Sequence, residues 1–185
     1  MSTPELTVEY VISEVRKLQY LYQLKKEIRY AQNRHEEDST ESVAEHIYGM
    51  HILAAYFLPL VDTKGEWDRA RIYEMITQHD IEEIETGDIV GYLKTDLERE
   101  NELSATLMVI EKSPEHMRPQ MKSLADEYGA QATIESRFVK AIDKFEPLIQ
   151  IYSEEGRQVL FKNKTTAYQS SSIKEPYLKE FPLML

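Results

Sequence analysis

The sequence contains few residues that interrupt helices. Its 185 residues include only 6 glycines and 7 prolines, and apolar residues recur mainly three and four positions apart. This spacing places apolar side chains along one face of an α-helix, whereas a half-buried strand needs strict alternation. We therefore predict an all-α fold, a single-domain bundle of about six or seven helices.

Capping residues predict where several helices begin. The first helix is expected to start near Pro4 and to run to about Leu18. Ser42 and Glu45 match the capping box Ser-x-x-Glu and predict a helix that continues to about Leu58. Further helices are expected after Trp67-Asp68 as far as about Thr86, from about Thr95, from Ser113-Pro114 and from about Thr133.

The C-terminal part of the chain differs in composition from the rest. Pro147 is expected to kink or end the last long helix, and the segment from Lys162 to Lys174 is rich in Ser, Thr and Lys. We expect one domain over residues 1–156. Residues 157–185 are expected to form a tail, either an arm packed on the surface or a partly mobile segment.

Charge and cysteine content exclude several classes of protein. The 22 Lys and Arg residues against 33 Asp and Glu residues give a net charge of −11, which argues against a nucleic-acid polymer as partner. With no cysteine, the chain cannot form a disulfide scaffold, an iron–sulfur site or a cysteine nucleophile. No segment has the pattern of a signal peptide or a membrane span, so we expect a cytoplasmic protein without a membrane partner.

His79 and Asp80 are the first candidates for chemistry. His79 shares a helical face with Met75 and Ile76, so it should point inward. A buried imidazole needs a partner, and a carboxylate drawn in beside it needs one more urgently. Glu83, four residues after His79, is expected on the same face. Three ionisable groups on one inward face predict a compensating cation.

His46 and Asp143 extend this set. His46 is expected on the inner face of the helix that follows the capping box, and Asp143 lies in the apolar segment 138–145. Two His and two Asp residues from three helices would form a four-ligand N/O site. Such a site suits Mn, Co, Fe, Ni or Zn, with open positions for water and substrate.

Each of these residues also has a purely structural explanation. A single inward histidine is more often hydrogen-bonded in a core than a metal ligand. Asp143 beside Lys140 and Lys144 would make an ordinary ion pair on a helix surface. Asp88, after Gly87, would simply cap the next segment. The functional interpretation therefore depends on the combination.

Four motifs in one order carry a family resemblance. The motifs are Glu41-Ser42-Val43-Ala44-Glu45-His46, then His79-Asp80 with Glu83, then Thr86-Gly87-Asp88, then Phe138-Val139-Lys140-Ala141-Ile142-Asp143-Lys144. Over about residues 29–152 the chain resembles the HD-domain metal-dependent phosphohydrolases, most closely the small single-domain 5′-deoxynucleotidase-like HD proteins. The resemblance implies an HD-type helical bundle, a single divalent metal ion and a homodimer.

The resemblance also implies a role for each matched residue. His46, His79, Asp80 and Asp143 would bind one divalent ion, with Mn, Co, Fe, Ni, Zn and Mg all open. Glu83 would handle the attacking water as a catalytic residue. Asp88, in the substrate pocket, would be the second catalytic residue.

Two further positions are implied in substrate binding. Arg29 falls where related sequences carry an arginine near the phosphate, and Glu127 matches an acidic position upstream of the last Asp. The chain departs from the pattern at Ala31-Gln32, where related sequences carry Gly-Trp. Because that aromatic residue helps to shape the pocket, the departure bears on nucleotide specificity.

The leading hypothesis is a metal-dependent phosphomonoester hydrolase. It would release phosphate from nucleoside 5′-monophosphates, with deoxynucleotides expected. The hydrolysis would depend on the metal, because a divalent ion lowers the pKa of bound water from ~15.7 toward ~7 and so supplies hydroxide at neutral pH. Two alternatives stay open. The same site could act on another nucleotide phosphodiester or pyrophosphate, or the chain could be a catalytically silent helical module that binds a nucleotide or a partner.

Overall fold

The computed structural model describes residues 7–31, 40–89, 94–152 and 157–185. Helices form the architecture of these parts of the chain. The α-helices are α1 (Val8–Leu21), α2 (Val43–Val61), α3 (Arg69–Gln78), α4 (Glu83–Thr86), α5 (Asp96–Lys112), α6 (Arg118–Ala130), α7 (Ile134–Gln150), α8 (Gln158–Lys162) and α9 (Ala167–Leu178). Short 3-10 turns occupy Tyr22–Lys25, Arg29–Ala31, Glu115–Met117 and Pro182–Met184. Strand pairing in the described residues is limited to one isolated bridge between Ile28 and Ser42.

The all-α prediction is confirmed, although the described residues form more helical segments than the expected six or seven. The difference comes partly from α4 and α8, which have only 4 and 5 residues. A segment of that length is too short to show a 3.6-residue apolar repeat, so sequence periodicity does not reveal it.

The predicted capping box opens α2. The Ser42 hydroxyl accepts the Glu45 N–H at 3.2 Å, and the Glu45 carboxylate accepts the Ser42 N–H at 2.6 Å. α2 then runs to Val61, three residues past the expected end, with Pro59 inside it. Pro147 likewise does not end α7, which continues to Gln150.

The third helix is shorter than predicted. It begins after Asp68 as expected but ends at Gln78, well before Thr86. Beyond Gln78 the backbone bonds span three residues, from the Ile81 N–H to the Gln78 carbonyl at 3.4 Å and from the Glu83 N–H to the Asp80 carbonyl at 3.2 Å. The pair His79-Asp80 therefore lies in a turn between α3 and α4.

The main core is built by α2, α3 and α7. Met50, Ile76 and Phe138 are among its fully buried side chains, and His46 lies among them with no exposed surface. A strip of three rings crosses one end, since Phe138 packs edge-on against Trp67 and Phe181 at centroid distances of 5.5 Å each.

The last helix joins the same core. α9 packs along α7, and Leu178, Phe181 and Met184 are each only 3% exposed within the main cluster. A smaller cluster, formed by Ile81, Val109, Ile110 and Met121, fixes the turn after α3 against α5 and α6.

Among the described residues, no helix combines the length and the apolar character needed to cross a bilayer.

Candidate metal centre

Three histidine and aspartate side chains from separate parts of the chain meet in the core. His46 comes from the first turn of α2, His79 from the turn after α3, and Asp143 from the middle of α7. One ligand atom of each lies within 4.8 Å of the others, and all three residues are buried. Asp80 lies next to this group, because its Oδ2 is 2.9 Å from His79 Nε2.

The histidine ring nitrogens are oriented by hydrogen bonds on their outer side. His79 Nδ1 lies 2.9 Å from the Ile76 carbonyl oxygen, and His46 Nδ1 lies 2.7 Å from Glu146 Oε2. Since both partners are acceptors, each Nδ1 must carry a proton, which makes each Nε2 the bare nitrogen in the neutral ring. Both Nε2 atoms are buried and lack a hydrogen-bond partner in the described residues.

This donor set fits a divalent cation. A buried lone pair without a donor is costly, and a cation satisfies both nitrogens at once. His46 Nε2 is 3.6 Å from Asp143 Oδ1, and the corresponding His79–Asp80 distance is 2.9 Å. Ligands held at roughly 2.1 Å from one ion lie about 3.0 Å apart at a right angle and about 3.4 Å apart at the tetrahedral angle. The observed spacing is therefore close to that of ligands around one ion.

Asp143 also has basic and hydroxyl neighbours. Its Oδ2 lies 2.9 Å from Lys144 Nζ, 3.3 Å from Lys140 Nζ and 3.2 Å from the Tyr128 hydroxyl. Burial acts to raise the pKa of Asp143, but Lys144 and Lys140 outweigh it and hold the pKa well below the usual value. The lysines that suggested a surface ion pair thus surround a buried carboxylate and keep it ionised.

Glu146 is a site residue that the sequence did not single out. It is 6% exposed, lies one helical turn after Asp143 and accepts from His46. Its side chain packs over Gly49, where an added Cβ would meet Glu146 Oε1 at 2.8 Å. Its position three residues after Asp143 on an apolar helix face was the available signal.

The carboxylates of Glu83 and Asp88 lie beside this cluster, at the two ends of α4. Both residues are buried, at 5% and 8% exposure, and Glu83 Oε2 has no hydrogen-bond partner among the described residues. Burial raises the pKa of Glu83 well above its usual value, and the charges of Asp80 and Asp88 add to the effect. Gly87, with a φ of +68°, ends α4 in a conformation that favours glycine and directs the chain to Asp88.

The guanidinium of Arg29 lies beside the carboxylate of Asp88. Its Nε lies 3.6 Å from Asp88 Oδ2 and 3.7 Å from Glu41 Oε1, and its Nε and Nη1 have no hydrogen-bond acceptor among the described residues. Burial would lower the pKa of Arg29, but the facing Tyr30, Asp88 and Glu41 hold it well above its usual value. The guanidinium is therefore charged, and two of its N–H donor atoms have no acceptor among the described residues.

Tyr30 is a second residue that the sequence did not indicate. It takes a left-handed conformation, with a φ of 63°, which costs a non-glycine residue about 1 kcal/mol. In that conformation its N–H donates to Asp88 Oδ2 at 2.7 Å, and its ring lies 5.1 Å from the Arg29 guanidinium carbon. Gln32, which stands where related sequences carry tryptophan, lies outside the described residues.

Glu127 is not brought to the cluster. Its carboxylate accepts from Arg71 Nε at 2.6 Å and from the Thr133 hydroxyl at 2.7 Å. The next residue, Tyr128, is the one on α6 that contacts Asp143. Adjacent positions on a helix point about 100° apart, so Tyr128 reaches the cluster while Glu127 points toward α3 and Thr133.

Comparison with protein families identifies the fold around this cluster. The family model described as HD domain matches residues 21–183, nearly the whole chain. The chain belongs to the HD domain family. The family resemblance expected from the motifs is thereby confirmed.

Curated proteins with similar sequences include several named 5′-deoxynucleotidase. The chain is 30% identical over 129 residues to 5′-deoxynucleotidase hdd1 of Schizosaccharomyces pombe, covering 66% of this chain and 63% of that protein. It is 27% identical over 115 residues to 5′-deoxynucleotidase HDDC2 of Mus musculus, covering 61% of this chain and 55% of that protein. The match thus spans less than two thirds of the length of either relative.

Solved structures agree on the HD domain fold. A predicted metal-dependent phosphohydrolase from Magnetospirillum magnetotacticum MS-1 has a TM-score of 0.66 at 20% identity, covering 94% of this chain and 93% of that one. An HD-domain phosphohydrolase from Listeria innocua has a TM-score of 0.58 at 25% identity, covering 92% of this chain and 89% of that one.

Proposed function

We propose that this HD domain is a metal-dependent phosphomonoester hydrolase that acts on nucleoside 5′-monophosphates, with deoxynucleotides preferred. The main support is the pair of buried Nε2 atoms of His46 and His79, which have no hydrogen-bond partner in the described part of the chain and lie beside Asp143 and Asp80. Relatives named 5′-deoxynucleotidase support the substrate class.

In this proposal His46, His79, Asp80 and Asp143 hold one divalent ion. When bound, the ion supplies a water of lowered pKa and polarises a phosphoryl oxygen. The protein keeps the ligands in the required state, since Glu146 and the Ile76 carbonyl fix both histidine tautomers. Lys144 and Lys140 keep Asp143 ionised.

Two residues are proposed to act on the substrate and the attacking water. Arg29 has two buried donor atoms, Nε and Nη1, with no acceptor among the residues that the structure describes, so it is suited to bind a phosphate in a forked manner. Glu83, three residues after Asp80, has a buried carboxyl oxygen without a hydrogen-bond partner within the described ranges, so it is suited to orient the attacking water and to accept its proton.

Asp88 is proposed to hold Arg29 and Tyr30 in place beside the phosphate. Its Oδ2 lies 3.6 Å from Arg29 Nε and accepts the Tyr30 N–H at 2.7 Å. The same carboxylate is proposed as an acid in the reaction or as the acceptor for a sugar hydroxyl of the nucleotide. Glu127 stays a weaker candidate for substrate binding, because its oxygens are already paired with Arg71 and Thr133.

A hydrolysis panel tests the proposal. Purified protein supplied with Mn²⁺ or Co²⁺ is offered ribo- and deoxynucleoside 5′-monophosphates, 3′-monophosphates, a dinucleoside phosphodiester and a nucleoside triphosphate. We expect inorganic phosphate from the 5′-monophosphates only. Release from the phosphodiester or the triphosphate instead would favour a different HD reaction, and no release from any substrate would favour a silent binding module.

The proposed setting of this activity is the cytoplasm, and the proposed assembly is a homodimer. The absence of cysteine is compatible with a reducing compartment. The dimer is implied by the family resemblance.

A further inference from the structure

Helix α9 packs antiparallel along α7, and a contact at one end fixes which residues lie side by side. Arg137, in the first turn of α7, donates to both carboxylate oxygens of Glu180, just past the end of α9, at 2.8 and 3.0 Å. Both helices rise about 1.5 Å per residue, so six residues back from Glu180 corresponds to six residues forward from Arg137. This register places Lys174 of α9 at the level of Asp143 of α7.

The side chain of Lys174 points toward α7. Lys174 is half-buried and lies four residues before Leu178, which is only 3% exposed in the main core. Residues four apart share one face of a helix, so both side chains lie on the side of α9 that packs on α7. The charged groups with the largest effect on the ammonium are Arg29, Lys144, Asp143 and Glu146. The ammonium therefore lies beside the candidate metal centre.

The ammonium of Lys174 has no partner of its own. It makes no hydrogen bond and no ion pair with any residue in the described ranges. The two carboxylates near it already have closer partners, since Asp143 contacts Lys144 at 2.9 Å and Glu146 accepts from His46 at 2.7 Å. Lys174 is thus not needed as a counter-ion for either carboxylate.

Arg29 and Lys174 are two cations that act on each other and that both have donors without an acceptor. The unpaired donor atoms of Arg29 within the described chain are its buried Nε and Nη1. Burial, together with Arg29 and Lys144, lowers the pKa of Lys174 to about 8, so the ammonium is unfavourable there but still protonated at pH 7. An anion that contacts both cations would remove this repulsion.

We propose that Lys174 binds the phosphate of the substrate together with Arg29. This inference rests on the proposed function and adds a residue to it, because the family resemblance places only Arg29 beside the phosphate. A phosphomonoester carries a charge of about −1.5 to −2 at pH 7, whereas a phosphodiester has a single ionised oxygen. Two cations from separate parts of the fold therefore suit a phosphomonoester.

Isothermal titration calorimetry with inorganic phosphate on the Mn²⁺-loaded protein tests this contact without requiring turnover. Lys174→Met keeps the unbranched stem and removes the ammonium. The phosphate affinity should therefore fall by about 10- to 100-fold, as expected for the loss of one hydrogen bond from a charged group. Lys174→Arg keeps the charge and should bind phosphate more tightly than Lys174→Met.

Two further measurements separate this role from a structural one. The Mn²⁺ affinity of Lys174→Met should be no weaker than that of the wild type, because the variant retains every proposed metal ligand. Its thermal midpoint should not fall, because Lys174 makes no ion pair with the described residues. Weaker phosphate binding that follows from lost Mn²⁺ or from a less stable fold would overturn the proposal.

Lys179→Met is the matched control. Lys179 lies at the end of the same helix and pairs with Glu175 at 3.5 Å, with side chains 65% and 54% exposed. The substitution removes the same charge from the protein, so it should leave phosphate affinity like that of the wild type. No phosphate binding by the wild type, an unchanged affinity in Lys174→Met, or an equal loss in Lys179→Met would overturn the proposal.

Kinetics on the same variants distinguish this proposal from the proposed function. A contact that is equally strong in the ground state and the transition state affects KM and leaves kcat nearly unchanged. The KM of Lys174→Met for a deoxynucleoside 5′-monophosphate should therefore rise by about 10-fold or more. Hydrolysis with an unchanged KM would support the hydrolase and overturn the role of Lys174. Phosphate binding that depends on Lys174, in a protein that hydrolyses no nucleotide, would support the contact and count against the hydrolase.

Discussion

At the scale of single residues, the candidate metal centre depends on the Glu146 carboxylate, which is hydrogen-bonded to the Nδ1 of His46, on the side of the ring away from the cluster. Glu146 accepts a hydrogen bond from the Nδ1–H of His46 at 2.7 Å, with both groups buried. A carboxylate in this position fixes the tautomer and raises the basicity of the nitrogen that faces a metal. Glu146 is therefore a positioning residue in our account, although it would not touch the ion itself.

Replacing Glu146 tests this role. Glu146→Gln keeps the shape but removes the charge, so we expect Mn²⁺ affinity to fall by about 10- to 100-fold. Isothermal titration calorimetry measures the affinity directly. The matched control is Glu127→Gln, whose carboxylate pairs with Arg71 and Thr133, and it should bind Mn²⁺ like the wild type. Equal losses in the two variants would remove Glu146 from the site.

Gly49 provides an independent route to the same contact. A Cβ at residue 49 would lie 2.8 Å from Glu146 Oε1, so Gly49→Ala should push that carboxylate away from His46. We expect weaker Mn²⁺ binding in Gly49→Ala, and little additional loss when Gly49→Ala is combined with Glu146→Gln. Additive losses of affinity in the double variant would show that the two residues act separately.

Sequence spacing could identify the ligands but not the residues that orient them. His79, Asp80 and Asp143 stand out because ionisable residues interrupt apolar helix faces. Glu146 meets His46 across 100 positions of sequence. Tyr30 reaches Asp88 across 58 positions, through a left-handed backbone that no local signal requires. Contacts of this kind depend on how helices pack, which a single sequence does not specify.

At the scale of helices, α9 carries the side chain of Lys174 toward the candidate metal centre. Lys174 lies four residues before the buried Leu178, on the side of α9 that faces α7. Burial, together with the nearby charges of Arg29 and Lys144, lowers the pKa of Lys174 to about 8. The described part of the chain offers this ammonium no ion pair.

Lys174 should make stability depend on pH in a defined window. The folded protein releases the Lys174 proton near its pKa of about 8, whereas the unfolded chain keeps it until near the ordinary lysine pKa of 10.5, so this group adds stability as pH rises between the two values. Below that window the buried charge is destabilising. Lys174→Met should therefore raise the free energy of unfolding at pH 7, on the order of 2 kcal/mol. Urea titrations at pH 7 and pH 10 should show that gain shrinking at the higher pH. A gain that does not change with pH would contradict the assigned shift.

The C-terminal segment is expected to be part of the folded unit. Phe181 is 3% exposed and packs on Phe138 and Trp67. We expect Phe181→Ala to lower the free energy of unfolding by about 3–5 kcal/mol. Leu185→Ala, at a 69% exposed position, serves as the control and should unfold like the wild type. An unchanged thermal midpoint for Phe181→Ala would show that residues 157–185 contribute little to stability.

Local chemistry predicted where helices begin better than where they end. Ser42 and Asp68 cap α2 and α3 as expected, because a capping side chain bonds only to its own first turn. The end of α3 at Gln78 carries no glycine or proline, so only the tertiary structure reveals it. The Ser- and Thr-rich composition near α9 likewise concealed a helix whose Leu178 is buried against α7.

At the scale of the whole molecule, a net charge of −11 surrounds a site that gathers cations. Arg29, Lys140, Lys144 and Lys174 all lie near Asp143 or Asp88. These four basic groups stand among the carboxylates of Asp80, Glu83, Asp88 and Asp143, so a bound divalent ion would supply the positive charge that draws in a phosphate against the field of the whole protein. Under the proposed function, this arrangement suits a small anionic substrate rather than a nucleic-acid polymer.

The central claim is that phosphate release requires a divalent ion held by this cluster. The most direct measurement is the rate of phosphate release from a deoxynucleoside 5′-monophosphate by metal-stripped protein, before and after Mn²⁺ is added. We predict no release without the ion, recovery in the wild type, and a rate at least about 100-fold lower in Asp80→Asn at the same Mn²⁺ concentration. Undiminished release by the stripped protein, or by Asp80→Asn, would contradict the claim.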